Sequence, residues 1–182
     1  SDVCSSDLDG VFHGIGIANF VEPTGRGPFE SAILRIGGSG LITVLTGATN
    51  QGQGNITCYA QIAAEQFGVD IDQVRVVTGD TDAISLGLGA FASRQAVTAG
   101  SSIHLAASKV AEKVKKIAAI LMEVSAEDIE LQNGRAVVKG TDLSLTLSEI
   151  ANSVAGTPGY SLPTGISPGL EASSHWKPDE LT

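Results

Sequence analysis

Apolar and polar residues alternate along residues 30–36 (ESAILRI), with Ala32, Leu34 and Ile36 on one face, which predicts a β-strand. Gly37, Gly38 and Gly40 around Ser39 mark a tight reversal, and residues 41–46 (LITVLT) return as a β-branched strand. An earlier stretch of small and apolar residues, 14–21 (GIGIANFV), also reads as a strand. Beyond the loop 47–54 the period changes. Ile56, Tyr59, Ala60, Ala63 and Phe67 recur at helical spacing, and Gly68 is placed to stop the helix. Residues 74–78 (VRVVT) predict a short strand, and a second glycine-rich loop, 79–93, leads into the longest helix, about 97–123. Its apolar stripe is Ile103, Ala107, Val110, Val114, Ile117 and Leu121, while Lys109, Glu112, Lys113, Lys115 and Lys116 form a solvated face. Residues 129–139 read as a hairpin turned at Asn133-Gly134, with Ile129 and Leu131 inward. Thr146 and Glu149 have the spacing of a capping box and start a short helix through Val154. A Pro/Gly-rich loop, 156–168, precedes a last strand near Gly169. Hairpins interleaved with helices predict an α+β fold: a mixed sheet packed against two main helices and a short third helix.

Composition narrows the class. The chain has 182 residues, 42% hydrophobic, enough for one domain or one piece of a larger subunit. The apolar run 117–122 stops at Glu123, far short of the roughly 18 residues of a membrane span. A net charge of −9 argues against a general nucleic-acid binder, which needs a basic face. Two cysteines, Cys4 and Cys58, have no CxxC spacing and cannot supply four thiolates to an iron–sulfur cluster, so a reduced, cytoplasmic chain is expected. Residues 1–9 (SDVCSSDLD) have neither a basic nor an apolar region and read as an unrelated leader rather than a signal peptide. The chain reads as a fragment.

The chemistry is expected in two glycine-rich loops that each enter a helix. In the first, Gln51-Gly52-Gln53-Gly54, glycines let backbone amides approach a ligand, the helix start favours negative charge, and two side-chain amides add uncharged donors and acceptors. The plain alternative is a tight turn and a helix cap. Gly47 and Gly52 have the spacing of half a P-loop, but Gln53-Gly54 stands where Lys-Ser/Thr is required. Gly52-x-Gly54-x-x-Thr57, with Asp80 after the next strand, keeps a nicotinamide- or flavin-binding reading open, although the third glycine is missing. In the second loop, Ala90 and Ala92 allow close approach, and Ser93 and Gln95 can donate hydrogen bonds. Arg94 could neutralise a phosphate or pair with a carboxylate. Two such junctions converging on one ligand would suit a long, multiply charged cofactor.

At these residues the chain resembles the molybdenum-binding domain of the xanthine oxidase family large subunits, the molybdenum hydroxylases, and within it the aldehyde oxidase and carbon monoxide dehydrogenase large chains. GPFESAILRI, TGATNQGQGNITCYAQIAAEQFGVDIDQVRVVTGDTD, GLGAFASRQAVTAG and DIELQNGRAVVKG carry the resemblance, in order, and residues 10–182 would be a partial domain of that kind. The resemblance implies a molybdenum–molybdopterin cofactor, in bacteria often the cytosine dinucleotide form. By the same resemblance, Gln51, Gly52, Gln53 and Gly54 would line the pterin and its pyrophosphate. Phe91 and Ala92 would lie toward molybdenum, Ala92 through its backbone, and Ser93, Arg94 and Gln95 would continue the contact. The metal would be held by the pterin's sulfurs, and His13, His104 and His175 have no ligand spacing. The family hydroxylates a small-molecule substrate, an aldehyde or N-heterocycle, or oxidises carbon monoxide, with oxygen from water. Electrons leave through iron–sulfur and FAD partners on other domains or subunits. The family's base glutamate lies in a Gly-Glu pair, and this sequence contains none, so no catalytic residue is assigned and the chain alone is expected to be inactive. A non-catalytic remnant or assembly module of the same fold is the rival reading.

Overall fold

The alternation over residues 30–36 becomes β1 (Glu30–Ile36), whose even positions are all buried. It pairs antiparallel with β2 (Ile42–Thr46), in the register Ala32 opposite Thr46 and Ile36 opposite Ile42. The structure is a computed structural model and describes residues 14–156, 158–159 and 161–178. The leader reading of residues 1–9, and His13, lie outside the described residues.

After β2 the chain crosses through α1 (Asn55–Phe67) to β3 (Val74–Thr78), which runs parallel to β2. One βαβ unit therefore sits within an otherwise antiparallel sheet of order β3-β2-β1-β7, β7 being Leu170–Trp176. Leu34, Ile42 and Val44 bury one sheet face with Phe67 of α1 and Ile103, Val110, Val114 and Ile117 of α2 (Gly100–Met122) in a single core. Alanines fill many of the remaining positions, among them Ala60, Ala63, Ala106 and Ala107, and small side chains permit close approach of packed elements.

The hairpin β4 (Ile129–Gln132) and β5 (Arg135–Val138) turns at Asn133-Gly134 and extends to β6 (Ser144–Thr146), forming a second, three-stranded sheet. Thr146 then starts α3 (Leu147–Ser153) with both halves of the capping box in place: Glu149 N–H donates to the Thr146 hydroxyl and Thr146 N–H to the Glu149 carboxylate.

The α+β class stands, with its strands divided between two sheets. Four local expectations change. Residues 14–21 form no strand, and Ile15, Ile17, Phe20 and Val21 are 74–96% exposed. They pair with neither sheet, and alternation alone supplies no partner for their backbone N–H and C=O groups. Leu121 and Ile56 are each more than two-fifths exposed, because the stripe of α2 rotates onto Ala118 and α1 uses Ala64 instead. The regular turns of α2 start at Gly100 after a π-helical turn, Gln95–Ala99. Three-residue β6 is too short to show a period of its own.

Candidate functional site

Strand directions decide where the two loops lie. β2 and β3 are parallel neighbours, so the loops that leave their carboxyl ends emerge at the same edge of the sheet. β1 runs against β2, which brings its first residue, Glu30, to that edge as well. The loops then cross backbone to backbone. A Cβ built on Gly47 would lie 2.5 Å from the Gly87 Cα, and one built on Gly87 would lie 2.5 Å from the Gly47 Cα. Only glycine fits on either side of that crossing.

Beyond the crossing, Gln51, Gln53 and Asn55 face residues 90–96 across a hollow of about 470 Å³, with Glu22 at its margin. Gln53 spans it: its amide donates to the Gln95 side-chain oxygen at 3.0 Å, and its own oxygen accepts the Gln51 N–H at 2.6 Å. Gln95 is buried and donates to the Thr49 carbonyl. The first loop thus reaches the second through a chain of side-chain amides. Gly52 and Gly54 have positive φ and open space in front of them, so the backbone there is bare. Gly54 caps α1 without a side-chain acceptor, and no acid stands in the first helical turn. No acidic side chain of the helix's own first turn offsets its positive end.

In the second loop, Phe91 and Ser93 are exposed and Ala92 half-buried. Ala92 and Ser93 have φ of 48° and 50°, the left-handed region that residues with a Cβ rarely enter. Consecutive strained residues beside a hollow are a feature of functional loops. The π-helical turn that follows is another.

Arg94 requires a correction. Its side chain is fully buried and bonds internally, so its charge is not directed at a ligand phosphate. Nη1 meets Glu30 Oε2 at 2.7 Å and the Gly89 carbonyl at 2.8 Å, Nε donates to the Arg26 carbonyl at 2.7 Å, and Nη2 donates to the Phe29 carbonyl. The carboxylate partner satisfies the charge where solvent is excluded. Phe91 lies against the guanidinium, 5.0 Å from ring centroid to carbon. Asp80 Oδ1 accepts the Asp82 and Ala83 N–H groups, so that oxygen serves its own turn.

Glu30 is the site residue that sequence reasoning passed over. Its side chain is fully buried, Oε2 accepts the Leu88 and Gly89 N–H groups, and Oε1 accepts the Ser31 N–H. A signal existed, since Glu30 shares the parity of Ala32, Leu34 and Ile36, and an acid on the core-facing side of a strand demands a partner. Behind it, the Tyr59 phenol is buried and has no hydrogen-bond partner among the described residues. Its pKa is pushed well above the usual phenol range, first by burial, then by Cys58 and Glu30, with Arg94 opposing. His104 is exposed and belongs to no metal-ligating cluster of three among the described residues; exposed His175 bonds the Ser31 hydroxyl at 2.7 Å. Among the described residues no three His, Cys, Asp or Glu side chains converge as a metal site. A larger hollow, about 640 Å³, lies on the hairpin side among Leu41, Val69, Gly134 and Ser148, away from both loops.

Comparison with known proteins agrees with this fold. The family model described as the molybdopterin cofactor-binding domain matches residues 6–182. The chain is 37% identical to the carbon monoxide dehydrogenase large chain of Hydrogenophaga pseudoflava over 93% of its own length and 22% of that protein's. It is 36% identical to the 6-hydroxypseudooxynicotine dehydrogenase complex subunit gamma of Paenarthrobacter nicotinovorans, over 91% and 21%. Quinoline 2-oxidoreductase from Pseudomonas putida 86 superposes with a TM-score of 0.75 at 35% identity, over 85% of this chain and 20% of that one. The chain spans about a fifth of the length of the relatives it matches. With this sequence likeness, this fold and this pair of loops, the chain belongs to the molybdopterin cofactor-binding domain family of the molybdenum hydroxylase large subunits.

Proposed function

We propose that the hollow between the two loops holds part of a molybdenum–pterin cofactor, in its cytosine dinucleotide form, within a larger molybdenum-dependent oxidoreductase. The observation that carries this reading is the convergence of both loops on one hollow, joined by the Gln53–Gln95 hydrogen bond and the Gly47/Gly87 crossing. The residues fit such a group. Bare backbone at Gly52 and Gly54 and the uncapped start of α1 suit a pyrophosphate. The side-chain amides of Gln51 and Gln53 suit the polar edge of a pterin. A metal carried on the pterin's own sulfurs asks no Cys or His cluster of the protein. When bound, the group supplies the redox centre at which a small substrate is oxidised.

In this reading Gln51, Gly52, Gln53 and Gly54 orient the pterin and its phosphates, Phe91 and Ala92 lie toward the metal, Ala92 through its backbone, and Ser93 continues the cofactor contact. Gln95 acts at one remove by holding Gln53 and the Thr49 carbonyl. Arg94 contributes the shape of the loop. Iron–sulfur and FAD partners would carry the electrons away, the substrate would be an aldehyde, an N-heterocycle or carbon monoxide, and the location would be the cytoplasm. Residues 10–182 would be a partial domain of that larger subunit.

Gln53→Ala in the protein that carries this domain tests the reading, because it removes both the bridge to Gln95 and an amide at the ligand. The expected result is a fall in molybdenum and pterin content with the fold retained. Unchanged loading would remove the first loop from the site. A complete protein that takes up no molybdenum when the cofactor is supplied would point to the non-catalytic remnant.

A further inference from the structure

Gly89 is held through both its N–H and its carbonyl by one ion pair: the N–H donates to Glu30 Oε2 at 3.3 Å, and the carbonyl accepts from Arg94 Nη1 at 2.8 Å. Leu88 N–H donates to the same carboxylate oxygen at 3.2 Å, and Arg94 closes the circle on it at 2.7 Å. Residues 89 and 94 are therefore pinned to one point, and the four residues between them must leave it and return. A stretch that short can close only by reversing sharply, and Ala92 and Ser93 take up the left-handed backbone that does so. Glu30 Oε1 stands beside the loop crossing: it would be 3.1 Å from a Cβ on Gly47 and 3.0 Å from one on Gly87.

We infer that Glu30 is the positioning residue of the second loop. Its carboxylate, with Arg94, closes residues 89–94 into an arch and so determines which atoms of Phe91, Ala92 and Ser93 face the hollow. A hydrophobic pair could join β1 to the loop equally well, but it could not accept two adjacent backbone N–H groups and a guanidinium at one oxygen. The guanidinium bond is short, 2.7 Å, and the two backbone N–H bonds, at 3.2 and 3.3 Å, converge on the same charged oxygen; together they hold the strained arch. The arch is a property of this chain; that it meets a phosphate-bearing pterin rests on the function proposed above.

The full 182-residue chain tests it by NMR, with amide exchange as one readout and inorganic pyrophosphate as the probe in the other. In the wild type, Leu88 and Gly89 amides are expected to be protected. In Glu30→Ala their exchange quickens at least tenfold, while amides of the β4–β5 hairpin keep their rates, a split that general destabilisation would not produce. Glu30→Gln keeps an acceptor oxygen without the charge, and is expected to restore part of the protection. Should Glu30→Ala fail to fold, Glu30→Gln against the wild type decides, with selectively faster Leu88 and Gly89 exchange expected. Unprotected Leu88 and Gly89 in the wild type, or rates in Glu30→Gln equal to the wild type, overturn the inference. Pyrophosphate is expected to shift amides at 52–55 and 91–95 in the wild type, and at 52–55 alone in a folded Glu30 variant. If it shifts neither loop in the wild type, the cofactor reading fails while the exchange rates still decide the arch. Equal shifts in wild type and variant would leave Glu30 without a positioning role.

Discussion

Replacing Gly87 by Ala places one methyl group where the two loops cross. Its Cβ would lie 2.5 Å from the Gly47 Cα, 3.3 Å from the Gly47 carbonyl carbon and 3.0 Å from Glu30 Oε1. Carbon atoms pack best at roughly 3.5–4.0 Å, so the loops must separate by about 1 Å. Gly87 does not occupy the left-handed region, so the effect is steric rather than conformational. Overpacking a tight site costs typically ~1–3 kcal/mol, and a clash with backbone on the far side belongs at the upper end, about 3 kcal/mol. In a chain of this size each kcal/mol lowers Tm by about 2–4 °C, which gives a fall of roughly 6–12 °C by circular dichroism. Gly47→Ala should reproduce it, because the contact is mutual. Gly52→Ala serves as the contrast: a Cβ there meets nothing within 4 Å, and its cost comes only from a φ of 98°. Separation of the loops should also break the 3.0 Å Gln53–Gln95 bond, read as a shifted Gln53 side-chain amide resonance. A Gly87→Ala chain that melts with the wild type and keeps that resonance would refute the crossing, and with it the shared hollow.

Three further outcomes follow from the same packing. Arg94→Met leaves the Glu30 carboxylate buried and unpaired, at a cost of about 3–5 kcal/mol, whereas Glu30→Gln with Arg94→Met should lose less than the two single changes added together. Strict additivity in a urea double-mutant cycle would show that the two groups do not interact. Tyr59→Phe removes a buried hydroxyl that has no partner among the described residues, so stability should hold or rise by about 1 kcal/mol; a clear fall would reveal a hydrogen bond. Glu149 has its carboxyl held below the usual 4.5, first by the Thr146 backbone N–H, then by the Thr146 hydroxyl. A depressed folded value means its contribution is present above the unfolded pKa and is lost as pH falls through the lowered one. Glu149→Gln should therefore be less stable than wild type at neutral pH, and the gap should close in acid below the usual carboxylate range; a gap independent of pH would contradict the capping box.

The regular elements were legible because their signals are local. β1 and β2 follow from period-two alternation and α1 from apolar residues three and four apart, and each is a property of a few neighbours in sequence. The capping box was legible for the same reason, two side chains three residues apart. The strand pattern at residues 14–21 shows the limit: alternation states a preference for extended backbone but supplies no partner edge. In the site, the glycines and glutamines of both loops could be picked out by type, since bare backbone and uncharged amides are what an anionic ligand requires. Arg94 could not be assigned by type, because a guanidinium binds phosphate and carboxylate alike.

What the amino-acid sequence determined by itself was the set of elements, the two glycine-rich junctions, and the likeness that places the chain in its family. Only the tertiary structure decided that Glu30, 64 residues from Arg94, is its partner, and that Gly47 and Gly87 cross at van der Waals contact. The reason is topological. β2 and β3 run parallel and β1 runs against them, so the end of one strand, the end of another and the beginning of a third reach one sheet edge, and no periodicity along the chain records which ends will meet.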